Sequence, residues 1–124
     1  MLSIIVPTFR REDLLPPLLA AVAAQASALP HPVELVLVDN SPDASARAVA
    51  LPDFVRYVHE PRTGVAEARN RGVAEARGTH VIFLDDDEIP ASGWLAAFAA
   101  AAARGARAAF GAVEPLFEIA PPEA

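Results

Sequence analysis

No cysteine occurs in the 124 residues, so disulfides, thiolate zinc sites and cysteine nucleophiles are excluded, and a reducing compartment fits. Lysine is absent as well. All ten cations are arginine, which with the heavy use of alanine reads as a compositional bias of the source. It also rules out a P-loop, because that motif needs G-x-x-x-x-G-K-[ST]. Net positive charge is missing too: 16 acidic residues leave a formal charge of −6, which argues against nucleic acid or an anionic membrane surface as the main partner. A local basic pocket for phosphate stays open. Long apolar runs are lacking, since the longest, Trp94 to Ala103, falls far short of the roughly 20 residues a membrane span needs. Met1-Leu2-Ser3 leads into a short apolar run broken by Pro7, so no targeting segment is read there and the chain is expected to be soluble.

What is present is material for a core, with 53% hydrophobic residues in a length suited to one domain or part of one. Four short runs rich in Val, Ile, Leu and Phe (Ser3 to Val6, Val33 to Val38, Phe54 to Val58 and His80 to Leu84) alternate with helix-like segments, a β-α-β-α rhythm. Three are continuously apolar, as parallel strands covered on both faces should be. The run Phe54 to Val58 carries Arg56 in its middle and is expected at a sheet edge. Leu14, Leu15, Leu18, Leu19 and Val22 recur at helical spacing, and Pro16 and Pro17 fit if that helix begins near Asp13 or kinks there. Gly64 to Arg77 predicts a second helix with Val65, Ala68, Val73 and Ala76 on one side and Gly78 as its C′ residue. Ser92 to Arg104 predicts a third, stopped at Gly105, with Trp94, Leu95 and Phe98 inward. Ala108 to Val113 reads as a fifth strand.

In an open parallel sheet, ligands bind beyond the carboxyl ends of the strands where strand order reverses. The unusual residues cluster at such ends: Pro7-Thr8-Phe9-Arg10-Arg11, Asp39-Asn40-Ser41-Pro42-Asp43 and Asp85-Asp86-Asp87-Glu88. Three aspartates directly after an apolar strand are not explained by burial. Two bare carboxylates about 4 Å apart repel by roughly 1 kcal/mol in water and about 4 kcal/mol at an effective dielectric of 20. A divalent cation reverses that sign, and Mg2+ typically takes one or two carboxylates with substrate phosphates and water. The alternative is an acidic turn capping the next helix, a role open to Glu88. Asp39 could accept from ribose hydroxyls or a base N–H, or could bond turn amides. Arg69-Asn70 could lie beside a diphosphate or on a solvated helix face, and Phe9 could stack on a base or fill a core. His31, His59 and His80 lack metal-like spacing and read as structural.

Taken in order, Ser3-Ile4-Ile5-Val6-Pro7-Thr8-Phe9-Arg10-Arg11, Leu37-Val38-Asp39-Asn40-Ser41, Gly64-Val65-Ala66-Glu67-Ala68-Arg69-Asn70-Arg71-Gly72 and Phe83-Leu84-Asp85-Asp86-Asp87 resemble the family 2 glycosyltransferases. The style is closest to bacterial enzymes building exopolysaccharide or other surface glycans. The resemblance covers nearly the whole chain. It implies an α/β fold of GT-A type, a mostly parallel Rossmann-like sheet in the order 3-2-1-4, incomplete at its C-terminus, with residues 1–124 forming one nucleotide-sugar-binding domain. It further implies a nucleotide-diphospho-sugar donor, a glycan or lipid-linked acceptor, Mg2+ or Mn2+, inversion by direct displacement, and a cytoplasmic location, including the inner face of the membrane. Carried over by position, Pro7, Thr8 and Phe9 would line the base pocket, Asp39 would contact base or ribose, and Arg69 would lie near base or diphosphate. Asp85-x-Asp87 matches the DxD motif: Asp87 and Asp85 would serve the metal, with Asp85 and Asp86 toward the ribose and the ion's water shell. The family's catalytic base is expected beyond Ala124; Glu114 and Glu118 are the late candidates before the terminal Glu123, and neither matches a base motif.

Other chemistries on similar rhythms fit less well. A dinucleotide-binding dehydrogenase would need a glycine-rich turn where Pro7-Thr8-Phe9-Arg10 stands. Phosphate-receiving regulators and haloacid-dehalogenase-like phosphatases need aspartate after the first strand. A sugar nucleotidylyltransferase usually opens with a glycine-rich basic loop. A non-catalytic nucleotide-binding module is the rival from a different class.

Overall fold

A computed structural model of the chain describes residues 1–105. The expected strand Ala108 to Val113, Glu114 and Glu118 lie outside the described residues. Four parallel strands, β1 (Leu2–Thr8), β2 (Val33–Asp39), β3 (Val55–His59) and β4 (His80–Phe83), form one sheet in the order β3-β2-β1-β4. Among the described residues three α-helices, α1 (Leu15–Ser27), α2 (Val65–Glu75) and α3 (Trp94–Ala103), accompany the sheet.

The order dictates which face each helix covers. Parallel crossovers are right-handed, so the β1-α1-β2 step and the β3-α2-β4 step, which cross the sheet in opposite directions, put their helices on opposite faces. Alternation along the strands divides the core accordingly: Ile4, Val6, Leu35 and Leu37 pack with Leu15, Leu18, Leu19 and Val22 of α1 and Leu95 of α3. Ile5, Val36 and Val38 pack under Ala68 of α2. With both faces covered, the middles of β1 and β2 (Ile4-Ile5-Val6 and Leu35-Val36-Leu37-Val38) are apolar without a break, and the buried polar residues near their starts satisfy each other, Ser3 Oγ donating to Glu34 Oε2 at 2.6 Å.

Several expectations are corrected in detail. Leu14 is exposed, because a single 3-10 turn at Glu12–Leu14 precedes α1 and the helix starts at Leu15, which places Pro16 and Pro17 in its first turn. On α2, Val65 and Val73 are exposed and the buried positions are Ala68 and Gly72. The helix lies so close to the sheet that a Cβ at Gly72 would collide with Ile5 Cγ2. The same helix ends at Glu75 rather than Arg77, because the next amides are captured from outside: Arg77 N donates to Glu34 Oε2 at 2.6 Å and Gly78 N to Ser3 Oγ at 2.8 Å. Gly78 is therefore not a left-handed C′ residue; it is small because a Cβ would meet the Met1 carbonyl oxygen and Ser3 Oγ. Among the described residues β4 lies at an edge of the sheet, with Val81 and Phe83 exposed, and is not covered on both faces. β3 takes the other edge as expected, with Arg56 ion-paired to Glu34 at 3.3 Å and to Glu75 at 3.1 Å.

Helix α3 begins at Trp94, where Gln25 Oε1 accepts from Leu95 N at 2.8 Å, and it stops before Gly105, whose φ of 80° is the left-handed conformation expected there. Gln25 thus ties α3 to α1. No helix among the described residues is long and apolar enough to cross a membrane.

Candidate functional site

The strand order reverses at β1, since β2 and β4 flank it on opposite sides, and an open parallel sheet leaves a crevice at the carboxyl ends of such strands. A cleft of about 340 Å³ lies there. The end of β1 supplies Pro7, Thr8, Phe9 and Arg11; the residues after β4 supply Asp85, Asp86 and Asp87; the start of α2 supplies Val65, Ala68 and Arg69; and Asn40 closes the floor beyond β2. Six of the expected ligand-binding positions besides Asp87 are Pro7, Thr8, Phe9, Arg69, Asp85 and Asp86, and all of them meet in this one cleft.

Three consecutive aspartates have three different environments. Asp86 is buried: Thr8 Oγ1 donates to its Oδ2 at 3.0 Å and Arg11 Nη1 to its Oδ1 at 3.2 Å. Asp87, with 58% of its side chain exposed, stands 3.3 Å from the same Arg11 Nη1. Asp85 is exposed and faces Arg69 Nη2 at 3.6 Å, while the Arg69 guanidinium lies 5.6 Å from the centre of the Phe83 ring. Two guanidinium groups thus offset the repulsion among three carboxylates. Glu88 does not cap the next helix: its Oε1 accepts from Asp85 N at 3.0 Å, and Glu88 N donates to Asp85 O at 3.1 Å, so it closes the acidic turn on itself.

Of the two roles open to Asp39, the structure shows the bonds to turn amides. Its side chain is wholly buried and does not line the cleft. Oδ1 accepts from Ser41 N at 3.0 Å; Oδ2 accepts from Ala46 N at 2.9 Å and from the Tyr57 hydroxyl at 2.7 Å. The turn after β2 brings those amides round to the carboxylate, so three protein donors occupy it where a base or ribose was expected. Burial pushes the Asp39 carboxyl upward, but the hydrogen bonds from Tyr57 and the two amides together outweigh it and hold the group below the ordinary aspartate range. Burial first, and then the bond to Asp39 and its charge, push the Tyr57 hydroxyl up to about 12.

Sequence reasoning gave Asn40 and Arg11 no role in the site. Asn40 Nδ2 donates to the carbonyls of Glu60 at 3.0 Å and Arg62 at 2.8 Å, and its Oδ1 accepts from Gly64 N at 3.0 Å. It clamps the segment leading into α2, whose first residue is preceded by Gly64 at φ 146°, a conformation that glycine alone adopts readily. In the sequence Asn40 looked like any turn residue; its partners lie 20 to 24 positions away. Arg11 lay inside a quoted motif, but the reach of a long side chain is visible only in three dimensions.

The carboxylates bear on metal binding. Among the described residues no three His, Asp or Glu side chains form a ready-made metal cage. Exposed Asp85 and Asp87 at the cleft are nonetheless hard oxygen donors of the kind Mg2+ uses, one or two at a time, when phosphates and water complete its shell. The residues fit an ion shared with a substrate and do not fit a closed protein site. His59 Nε2 lies 2.8 Å from Ser41 O and His80 Nδ1 3.0 Å from Thr79 Oγ1.

A parallel Rossmann-like sheet with an acidic cleft at its switch point defines a class of α/β domains that bind ligands beyond the carboxyl ends of their strands. Within that class the chain belongs to glycosyl transferase family 2, whose model matches residues 3–117. It is similar to the succinoglycan biosynthesis protein ExoM of Rhizobium meliloti, 31% identical over 94 residues that cover 71% of this chain and 30% of that protein. It is also similar to the undecaprenyl-phosphate 4-deoxy-4-formamido-L-arabinose transferase of Pseudomonas fluorescens, 38% identical over 92 residues covering 68% of this chain and 27% of that one. The crystal structure of S. aureus TarS 1-349 superposes with a TM-score of 0.67 at 26% identity, over 83% of this chain and 32% of that chain. The match thus spans 27% to 30% of the length of these two relatives, less than a third of each. The expected α/β fold, in the strand order 3-2-1-4, is the one found.

Proposed function

We propose that this chain supplies the donor site of an enzyme that moves a sugar from a nucleotide-diphospho-sugar to a glycan or lipid-linked acceptor, with inversion and with dependence on Mg2+ or Mn2+. The observation that carries the reading is the single cleft that gathers Pro7, Thr8, Phe9 and Arg69 around Asp85, Asp86 and Asp87. Family membership supports the donor class, and the likeness to relatives named for succinoglycan biosynthesis and undecaprenyl-phosphate supports the acceptor class. A lipid-linked acceptor sets the reaction at the cytoplasmic face of a membrane.

Each residue has a physical task in this scheme. Phe9, 42% exposed at the end of β1, offers a ring face to the base. Pro7 and Thr8 form the wall beside it, with Thr8 fixed by its bond to Asp86. Arg69 presents a guanidinium suited to phosphate oxygens, and Asp87 with Asp85 would hold the ion. When bound, that ion supplies neutralisation of the charge that builds on the diphosphate as it leaves. The acceptor oxygen bonds to the anomeric carbon, the bond from that carbon to the diphosphate oxygen breaks, and the acceptor proton passes to a base. The described carboxylates of the cleft all face arginine; the base is proposed, as the family resemblance implies, to lie beyond Ala124. Asp39 acts from behind the cleft, by shaping the segment after β2, and does not touch the nucleotide in this scheme.

Calorimetric titration of the chain with UDP and GDP, with and without Mn2+, tests the reading. Binding that strengthens with Mn2+ is the expected result; no binding of any nucleoside diphosphate in either condition would overturn it.

A further inference from the structure

We infer that Arg11 is a diphosphate-binding residue that exchanges partners: it holds Asp87 when the cleft is empty and turns to the donor's phosphates when a divalent cation takes Asp87. The inference rests on the donor-site reading above and adds a residue and a coupling to it. It starts from an asymmetry in the two contacts of one nitrogen. Arg11 Nη1 donates a hydrogen bond to Asp86 Oδ1 at 3.2 Å and stands 3.3 Å from Asp87 Oδ2, the latter an ion-pair contact without hydrogen-bond geometry. Asp86 is a fixed anchor, its side chain only 10% exposed and its other oxygen held by Thr8. Asp87 is mostly exposed and, among the described residues, has Arg11 as its charged partner. One contact is therefore built in and the other is exchangeable.

The guanidinium has donors to spare. Its contacts among the described residues all run through Nη1, half of the side chain is exposed, and it lines the cleft. A planar fork with free N–H groups matches phosphate oxygens two at a time, which a lysine cannot do. A divalent cation at Asp87 would repel the adjacent guanidinium and compete for the same oxygen, so in the empty cleft Arg11 and the cation oppose each other. With a diphosphate present, both are drawn to the same anion. Arg11 thereby makes metal binding and nucleotide binding favour one another, and by linkage the effect is reciprocal.

Arg11→Met, which keeps length without charge, and Arg11→Lys, which keeps charge without the fork, separate these roles. Binding of Mn2+ alone, followed by the electron paramagnetic resonance signal of the free ion, should tighten about two- to fivefold in Arg11→Met, the scale of an exposed ion pair, and stay unchanged in Arg11→Lys. Calorimetric affinity for UDP or GDP with Mn2+ should fall about tenfold in Arg11→Met, the scale of a charge-assisted hydrogen bond, and by a smaller factor in Arg11→Lys. Opposite signs in the two measurements are the signature, because a merely structural role would weaken both together. Both affinities within twofold of the parent, or both weakened in Arg11→Met, would overturn the inference while leaving the donor site standing. A parent chain that binds no nucleoside diphosphate would overturn the two together.

Discussion

Asparagine at position 39 distinguishes a carboxylate that builds the fold from one that touches the donor. In Asp39→Asn one side-chain oxygen remains, enough to accept from Ser41 N. The new NH2 then faces Ala46 N and the Tyr57 hydroxyl, which now donate to Oδ2 at 2.9 and 2.7 Å. Tyr57 can rotate its hydroxyl and accept; the Ala46 amide cannot. A buried donor left without a partner costs about 1–3 kcal/mol, and loss of the charge assistance on the remaining bonds adds to it, so the expected destabilisation is about 2–4 kcal/mol. Against a whole-domain stability of about 5–15 kcal/mol, that is a large change. Urea denaturation at pH 7 should show it as a midpoint lowered by about 1–4 M, given a slope of about 1–2 kcal/mol/M. The pH dependence carries a sign. Asp39 is held below its ordinary value in the folded chain, so its stabilisation is complete above that ordinary value, near 4, and is lost as pH falls through the folded value. The gap between parent and variant should therefore be full at pH 7 and shrink below pH 4. A variant as stable as the parent that has lost nucleotide affinity would refute the reasoning and return Asp39 to the ligand contact the sequence suggested.

Asp87→Ala should abolish the Mn2+-dependent part of nucleotide binding in calorimetry yet change stability by no more than about 0.5 kcal/mol, because the side chain is exposed; undiminished binding of UDP or GDP with Mn2+ would remove it as a ligand. Gly72→Ala should destabilise by about 1–3 kcal/mol in thermal or urea unfolding, since the added Cβ meets Ile5 Cγ2 on the sheet; an unchanged midpoint would mean that α2 does not pack so closely. Supplied with a nucleotide sugar and candidate acceptors, the chain by itself should bind donor and show no transfer, because a positioned base contributes typically 10²- to 10⁴-fold and is assigned beyond Ala124. Transfer at a rate comparable to that of a longer form reaching past Ala124 would place the base within these residues, with Glu114 the first to mutate.

The fold was largely legible from the chain because its signals are local and periodic. Continuous apolar runs such as Ile4-Ile5-Val6 and Leu35-Val36-Leu37-Val38 imply strands buried on both faces, and Arg56 in mid-run implies an edge, since an open edge is where a charge can reach partners beside the sheet. The acidic run after β4 stood out because three adjacent carboxylates do not belong in an apolar core; the one that is buried, Asp86, is held by Thr8 and Arg11. What the sequence could not decide was the division of labour among like residues. Asp39 and Asp87 are both aspartates beyond apolar strands, yet the turn at Ser41 to Ala46 and Tyr57 enclose one, while the other is left open beside Arg11. Val65 and Val73 looked like part of the inner face of α2 with Ala68 and Ala76; Ala68 does face inward, but only the approach of that helix to Ile5 showed that Gly72 lies beside it and that a larger side chain would not fit there. Residue type and spacing fix what a side chain can offer and which element carries it. Its partner is fixed by distances between segments far apart in the chain, and these exist only once the sheet has assembled.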